Sequence, residues 1–319
     1  MNPKGLKRTV GALVAAVIAT SASATDLSLF TTIYNTDFAA AGYGGMRGNG
    51  TGTISLSGVS GTVTQAYLFW HGPSNASTTA APTANANVTF AGTNVTGSFL
   101  GISDNNCWGF ANSLAYRADV TSLVTGSGNY SLANFTKPNG IDVNGASLIV
   151  FFNDADNTNN RDVVMFNGND SNISNPFDAP GWNITLAGIN YSSGTANAQF
   201  HVSDGQTFSD AAVIANGVTV APAGAVFNGN TVPGPNLPSG NGNLWDIRDF
   251  DVTSLLNPGL NTLNVTTGVN SDCLSCVLIA IDLPAGAAPP PNGVPEPGPL
   301  ALLASGLLAG FAARRVRRK

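Results

Sequence analysis

Cys273 and Cys276, with two residues between them, form the most reactive spacing in the chain. In an oxidising compartment such a pair closes a small disulfide ring; the competing reading is two buried free thiols. A thioredoxin-type redox role requires the motif to follow a strand and open a helix in a βαβ unit, and the surrounding sequence offers no such context. A structural zinc site takes four ligands, whereas the remaining Cys107, His71 and His201 are scattered. Cys107, beside Trp108, reads as a buried thiol, and the two histidines read as loop or core residues.

The densest oxygen cluster spans residues 153–162, where Asp154, Asp156 and Thr158 alternate and Asp162 lies beyond them. Calcium takes six to eight oxygens, so these four are candidate ligands, and calcium is the one cofactor the sequence suggests. The segment lacks the glycine and the bidentate Glu of an EF-hand loop, and a solvated Asn/Asp turn competes. Trp70, Trp108, Trp182 and Trp245 are candidate sugar-stacking platforms, set against the commoner role of Trp in core or rim packing. No Gly-x-Ser-x-Gly elbow, His-Glu-x-x-His motif or P-loop occurs. Glycosidase chemistry needs two carboxylates placed by the fold, and nothing singles out a pair. The expectation is a protein without catalytic residues, with a secreted hydrolase ranked last.

Charge separates the chain into three parts. The first 24 residues carry +3, residues 25–295 carry −12, and the last 24 carry +4. The middle has 17 Asp, no Glu, and only Arg47, Arg117, Lys137, Arg161 and Arg248 as cations. Phosphate binding needs clustered Lys and Arg, so nucleic acid is excluded as a partner of this body. Only 10% of all residues are charged, against roughly 25% in an ordinary globular protein. The shortage of Glu, Lys and Gln removes the residues that fill exposed helix faces.

The elements that must position these side chains are therefore strands. Short apolar runs alternate with Gly, Asn, Pro and Ser clusters, giving candidate strands at 53–56, 65–70, 87–90, 130–135, 147–152, 162–166, 183–187, 198–202, 217–220, 262–266 and 277–283. This pattern predicts an all-β body of antiparallel sandwiches. It also repeats. Asp119-Val120-Thr121-Ser122-Leu123 recurs as Asp251-Val252-Thr253-Ser254-Leu255, and Asn87–Phe90 matches Gly217–Val220 at a similar offset. An offset near 130 residues is too long for a solenoid repeat. The repeat predicts two tandem β-sandwich domains, 25–158 and 159–285, with one continuous two-lobed sandwich as the alternative. Asp119 and Asp251 are expected to accept backbone N–H bonds two or three residues on and so nucleate structural turns.

At the N-terminus, Lys4, Lys7 and Arg8 precede an apolar run, and Ala22-Ser23-Ala24 has the small residues of a cleavage site. Residues 1–24 read as a Sec signal helix, cut by signal peptidase after Ala24; a membrane anchor is the competing reading, although the run falls well short of the ~20 residues of a spanning helix. At the other end, a Pro/Gly/Ala linker over 286–293 leads to Val294-Pro295-Glu296-Pro297, an uncharged stretch over 298–313, and a basic tail from Arg314 to Lys319. The stretch reads as a short transmembrane helix, its basic end held in the cytoplasm.

These three parts, in this order over residues 294–319, resemble the PEP-CTERM sorting signal of Gram-negative bacteria. The resemblance implies recognition by an exosortase, removal of the helix and tail, and delivery to the cell surface or extracellular matrix; a permanent tail anchor is the alternative. The string Phe250–Leu263 resembles the turn and edge of jelly-roll, galactose-binding-like modules. The first copy, with Ala66-Tyr67-Leu68-Phe69-Trp70, resembles domains of bacterial surface proteins of undefined function. The expected function is a structural or adhesive component of an exopolysaccharide or biofilm matrix, with a carbohydrate-binding module, calcium-assisted or not, as the alternative. Expected partners are the Sec machinery, signal peptidase, exosortase, extracellular polysaccharide and, transiently, the inner membrane.

Overall fold

The computed structural model describes residues 26–177 and 179–288. The expected signal helix with Ala24, the sorting residues Val294 to Pro297 and the apolar stretch 298–313 lie outside the described residues. Among those described, no helix is long and apolar enough to cross a membrane.

Seventeen strands run in chain order. The first half holds β1 (Ser28–Tyr43), β2 (Gly52–Leu56), β3 (Thr62–Ser74), β4 (Asn87–Phe90), β5 (Thr93–Thr96), β6 (Ser98–Ser103), β7 (Asn112–Asp119), β8 (Gly128–Ala133) and β9 (Gly145–Asn153). The second holds β10 (Arg161–Ser171), β11 (Trp182–Tyr191), β12 (Asn197–Ser203), β13 (Val213–Ala215), β14 (Val218–Ala221), β15 (Trp245–Asp251), β16 (Gly259–Thr267) and β17 (Ser275–Pro284). One four-residue helix and two single 3₁₀ turns complete the described elements. The body is all-β and every named strand pairing is antiparallel. Each of the eleven candidate strands falls on one of these elements.

The strands form a nine-stranded sheet, β15-β12-β17-β10-β1-β9-β3-β7-β6, and two four-stranded sheets, β11-β16-β13-β14 and β2-β8-β4-β5. Outward from the β1–β10 pair, the large sheet is nearly the same in both directions: β9, β3 and β7 on one side answer β17, β12 and β15 on the other. The duplicated pentapeptides lie at the ends of β7 and β15, so they occupy equivalent places. The other sequence match fails structurally. Asn87–Phe90 is β4, beside β8, but its counterpart beside β16 is β13, and the matched Gly217–Val220 falls on the outer strand β14.

The nine-stranded sheet cannot be flat. His71 on β3 and Ser203 on β12 are five strands apart in the order, about 24 Å at the usual strand spacing, yet their side chains are 2.6 Å apart. The sheet folds back on itself at β1. Residues 28–36 of that strand pair with β10, and residues 37–43 pair with β9. Two register shifts, between Leu29 and Thr31 and between Ile33 and Thr36, and a left-handed Asn35 at φ 50° make the passage. The result is four layers: each four-stranded sheet covers the outside of one half of the large sheet, and the two halves face each other across a seam.

Three apolar cores correspond to the three interfaces. Trp70, Tyr116 and Phe135 centre the first lobe. Trp182, Phe200, Phe227 and Phe250 centre the second. Phe69, Ile149, Phe151, Met165, Trp245 and Leu278 fill the seam. Complete burial of each such side chain is worth ~1.5–3 kcal/mol. Two independent tandem domains meeting near residue 158 are thus replaced by two lobes on one folded sheet. The reason is β1: the first strand of the chain lies between β9 and β10, so neither half is complete without it.

The expected linker also starts later than residue 286. The N–H groups of Gly286 and Ala288 donate to Asp162 Oδ2 at 2.7 and 3.0 Å, and Ala287 O accepts the Ser192 N–H at 2.9 Å. Residues 286–288 belong to the body.

Candidate functional site at the seam

The two pentapeptides build matching turns. Asp119 Oδ1 accepts the N–H of Thr121 at 2.9 Å, and Asp251 Oδ1 accepts that of Thr253 at 2.8 Å. Hydrogen bonds from the Thr253 side chain and backbone hold the Asp251 carboxyl below its ordinary range. The threonine hydroxyls then reach outward. Thr121 Oγ1 accepts the Ala66 N–H at 3.0 Å, and Thr253 Oγ1 accepts the Ala196 N–H at 2.9 Å. Each pentapeptide thereby ties the turn to the start of the neighbouring inner strand. Thr121→Val or Thr253→Val should cost about 1 kcal/mol each, read by urea unfolding; additivity between two sites so far apart would show that the turns act separately.

The candidate calcium ligands are not brought together. Asp154 Oδ1 and Asp156 Oδ1 accept N–H bonds from Asp156 and Thr158 in successive Asx turns. Asp162 is buried and faces away, spent on the N–H groups of Asn35, Gly286 and Ala288. Among the described residues no three His, Cys, Asp or Glu side chains are arranged to hold a metal. The sugar-platform expectation also fails for three of the four tryptophans, since Trp70, Trp182 and Trp245 are buried in the three cores. Only Trp108 reaches the surface, half-buried.

The cysteine expectation is corrected as well. Cys107 bonds to Cys273, and Cys276 is a free buried thiol. Cys276 is the second residue of β17 and packs in the second core, while Cys273 lies before the strand on a loop that meets the Cys107 loop across the seam. Burial pushes the Cys276 thiol far above its ordinary range, which removes the thiolate that redox or metal chemistry needs.

The seam beside this disulfide gathers the chemistry-bearing groups that sequence reasoning left scattered. Arg47, on the loop after β1, is largely buried, with its guanidinium 3.9 Å from the centre of the Trp108 ring. It lies 3.6 Å from the fully buried Asp204 and 3.9 Å from Asp142, and it donates to Asn144 Oδ1. Trp108 Nε1 donates to Asp204 Oδ1 at 2.7 Å, and Asn144 Nδ2 donates to the same oxygen at 3.0 Å. Burial drives the Asp204 carboxyl well above its ordinary range, and Arg47 opposes this. The pair is of the kind whose separation is expensive. Arg47→Met, which leaves Asp204 buried without its cation, should lose about 3 kcal/mol in urea unfolding at pH 7, and adding Asp204→Asn should return part of the loss.

Behind this pair, His71 Nδ1 lies 2.6 Å from Ser203 Oγ, which also accepts from Asn144 Nδ2 at 3.0 Å. They are not equivalent positions of the two repeats: His71 stands opposite Ala115 and His201 opposite Ile247, so the two histidines are the matching residues. A second pair, His201 Nδ1 and Ser147 Oγ, stands at 2.7 Å. A serine beside a histidine is the start of a nucleophile–base arrangement. Here both histidines are fully buried, and both are pushed down to about 3, His71 by burial and then by Arg47, His201 by burial. Besides Ser203, the His71 ring meets the Asn169 side chain and no carboxylate. These pairs hold the lobes together, and substrate could reach them only by opening the seam.

Three more acids organise the second-lobe loops. Asp272 accepts N–H bonds from Gln206 and Cys273, Asp210 from Val226 and Phe227, and Asp246 from Gly229. Burial raises Asp272 to about 7 and Asp210 to about 6, and it raises Asp246 too. Sequence reasoning counted Arg47 but did not single it out. The available signal was scarcity: with five cations among 17 Asp, a cation is a rare resource.

Comparison with known proteins gives two matches. Residues 34–281 match a family model described as a protein of unknown function (DUF3344). Residues 293–318 match the PEP-CTERM protein-sorting motif. No curated protein matches the chain.

Proposed function

Since the chain belongs to the DUF3344 family and ends in a PEP-CTERM sorting motif, we propose that it is a non-enzymatic structural or adhesive component of an extracellular polysaccharide matrix. The motif implies export and processing by an exosortase, to the cell envelope or surface. That motif is the observation that carries the reading. The body supports it: an all-β particle whose two Ser–His pairs are fully buried and whose buried carboxylates Asp162, Asp204 and Asp272 are hydrogen-bonded within the fold. The inner membrane is then a transient station, and polysaccharide is the partner outside. Burial of three of the four tryptophans removes the main support for a module that stacks sugars.

The test is a strain lacking the protein, compared with one producing it and one producing Glu296→Ala. Expected are protein in the matrix fraction and loss of matrix cohesion in its absence. Retention of the Glu296→Ala form in the membrane fraction is the result that the sorting role requires. Hydrolysis of a matrix polysaccharide by the purified protein, abolished by one Asp→Asn change, would overturn the non-enzymatic reading.

A further inference from the structure

A groove of about 370 Å³ opens along the outer edge of the second lobe, between the first half of β1 and the edge strand β11. Leu29 and Tyr34 line one wall, Gly188 and Leu260 the other, and Val164 is at its base. Three of the six exposed large hydrophobic residues of the described body are here, with Leu29 50%, Tyr34 39% and Leu260 78% exposed. Such a cluster on an exported, acidic particle is a surface that some apolar segment should cover.

Ala288 lines the same groove, and it is the last residue described. The chain is not loose at this point. Ala287 and Ala288 are buried in the second core and fixed by Asp162 and Ser192. Ala288 is followed in sequence by Pro289-Pro290-Pro291-Asn292-Gly293. Three prolines favour an extended polyproline II path of ~3.1 Å per residue, so they advance about 9 Å. They bring apolar rings, carry no N–H to be left unsatisfied, and have little conformational freedom to lose.

We propose that the groove is the docking site for this chain's own proline segment, residues 289–293, packed against Tyr34, Leu29 and Leu260. The docked segment holds the sorting motif at a fixed place beside the second lobe. After exosortase processing it covers the groove as the mature C-terminal end, so Leu29, Tyr34 and Leu260 are no longer open to solvent. This inference goes beyond the matrix role and does not depend on it.

The test uses the full chain as cells export it, with Leu260→Cys combined with Asn292→Cys. The expected result is an intramolecular disulfide joining the 260 and 292 peptides, detected by mass spectrometry. Val218→Cys with Asn292→Cys is the control: Val218 is as exposed as Leu29 but lies on β14, at the opposite edge of that sheet, and should give no cross-link. Leu260→Asp in the otherwise native chain should raise protease cleavage within 289–297 without changing the melting temperature of the body. A cross-link between two chains would assign the groove to a second copy and overturn the proposal. So would absence of the 260–292 cross-link, an equal yield from the Val218 control, or cleavage indifferent to Leu260→Asp.

Discussion

Replacing both Cys107 and Cys273 with serine is expected to lower the unfolding free energy by about 5 kcal/mol, from the loop-closure entropy of a long cross-linked loop. The bond joins positions 166 residues apart, and in the chain-entropy model the stabilisation grows with the logarithm of that length. At about 2–4 °C per kcal/mol for a body of this size, the melting temperature should fall by at least about 10 °C. Cys276→Ala is the informative companion. It leaves the long loop closed, so its loss should be confined to the vacated space around a buried thiol. If the bond instead closed the small ring between Cys273 and Cys276, the Cys276 variant would carry the loss and Cys107→Ser would be nearly silent. The two single variants thus read the pairing directly.

Acid should act on the seam through its histidines. His71 and His201 are buried without charge, at about 3 in the folded protein against ~6.5 in an unfolded chain. A histidine with a depressed folded value contributes stability that is fully present above the unfolded value and is lost as pH falls from there toward the folded value. Between pH 7 and 4.5 that loss is about 2.7 kcal/mol per histidine, or about 5 for the two. Asp272 and Asp210, raised to about 7 and about 6, work in the opposite direction. Their folded forms take up protons first, so stability returns as pH falls through those values and stops changing near the ordinary carboxylate value of ~3.9. The wild type should therefore be nearly level in mildly acid solution and fall away below pH 4, where the histidines still titrate and the carboxyls held low, Asp154, Asp156 and Asp251, add to the loss. A His71→Asn/His201→Asn variant isolates the cause. The stability gap between wild type and variant, measured in urea, should narrow by about 5 kcal/mol from pH 7 to 4.5; a gap that holds constant would sink the assignment.

The legible parts of this molecule were those that rest on local pattern. Strand runs such as Ser147–Phe152 and Val277–Leu283 are apolar on both faces because both faces are covered, and the identical pentapeptides marked equivalent turns. β1 was illegible for a physical reason. It changes sheets midway and shifts register twice, so Ser28–Tyr43 shows no steady alternation. β7 and β15 were missed because they place Arg117, Arg248 and Asp246 within strands. The site was almost wholly hidden. Cys273 stands three residues from Cys276 in sequence, but its partner is chosen by two loops that meet only when the sheet folds back. Asp162 looked like an extension of an oxygen-rich turn, yet it faces Asn35, Gly286 and Ala288. The tryptophans show the same limit, since residue type predicts burial or exposure equally well until the layers are known.

The sharing of β1 sets the order in which the molecule can be completed. Leu29 to Tyr43 leave the translating or exporting machinery first, but their partners in β9 and β10 emerge more than 100 residues later. β10 in turn waits for β17, which ends at Pro284. Contacts so distant in sequence delay folding, because loop closure must precede the reward of pairing. During that interval the strand is an unpaired edge, open to another chain. The sorting motif at 293–318 begins within 10 residues of the end of that last strand. Completion of the fold and arrival of the processing signal are thereby nearly simultaneous events, and a chain released before residue 284 has emerged would be cut loose with β10 paired on one side only.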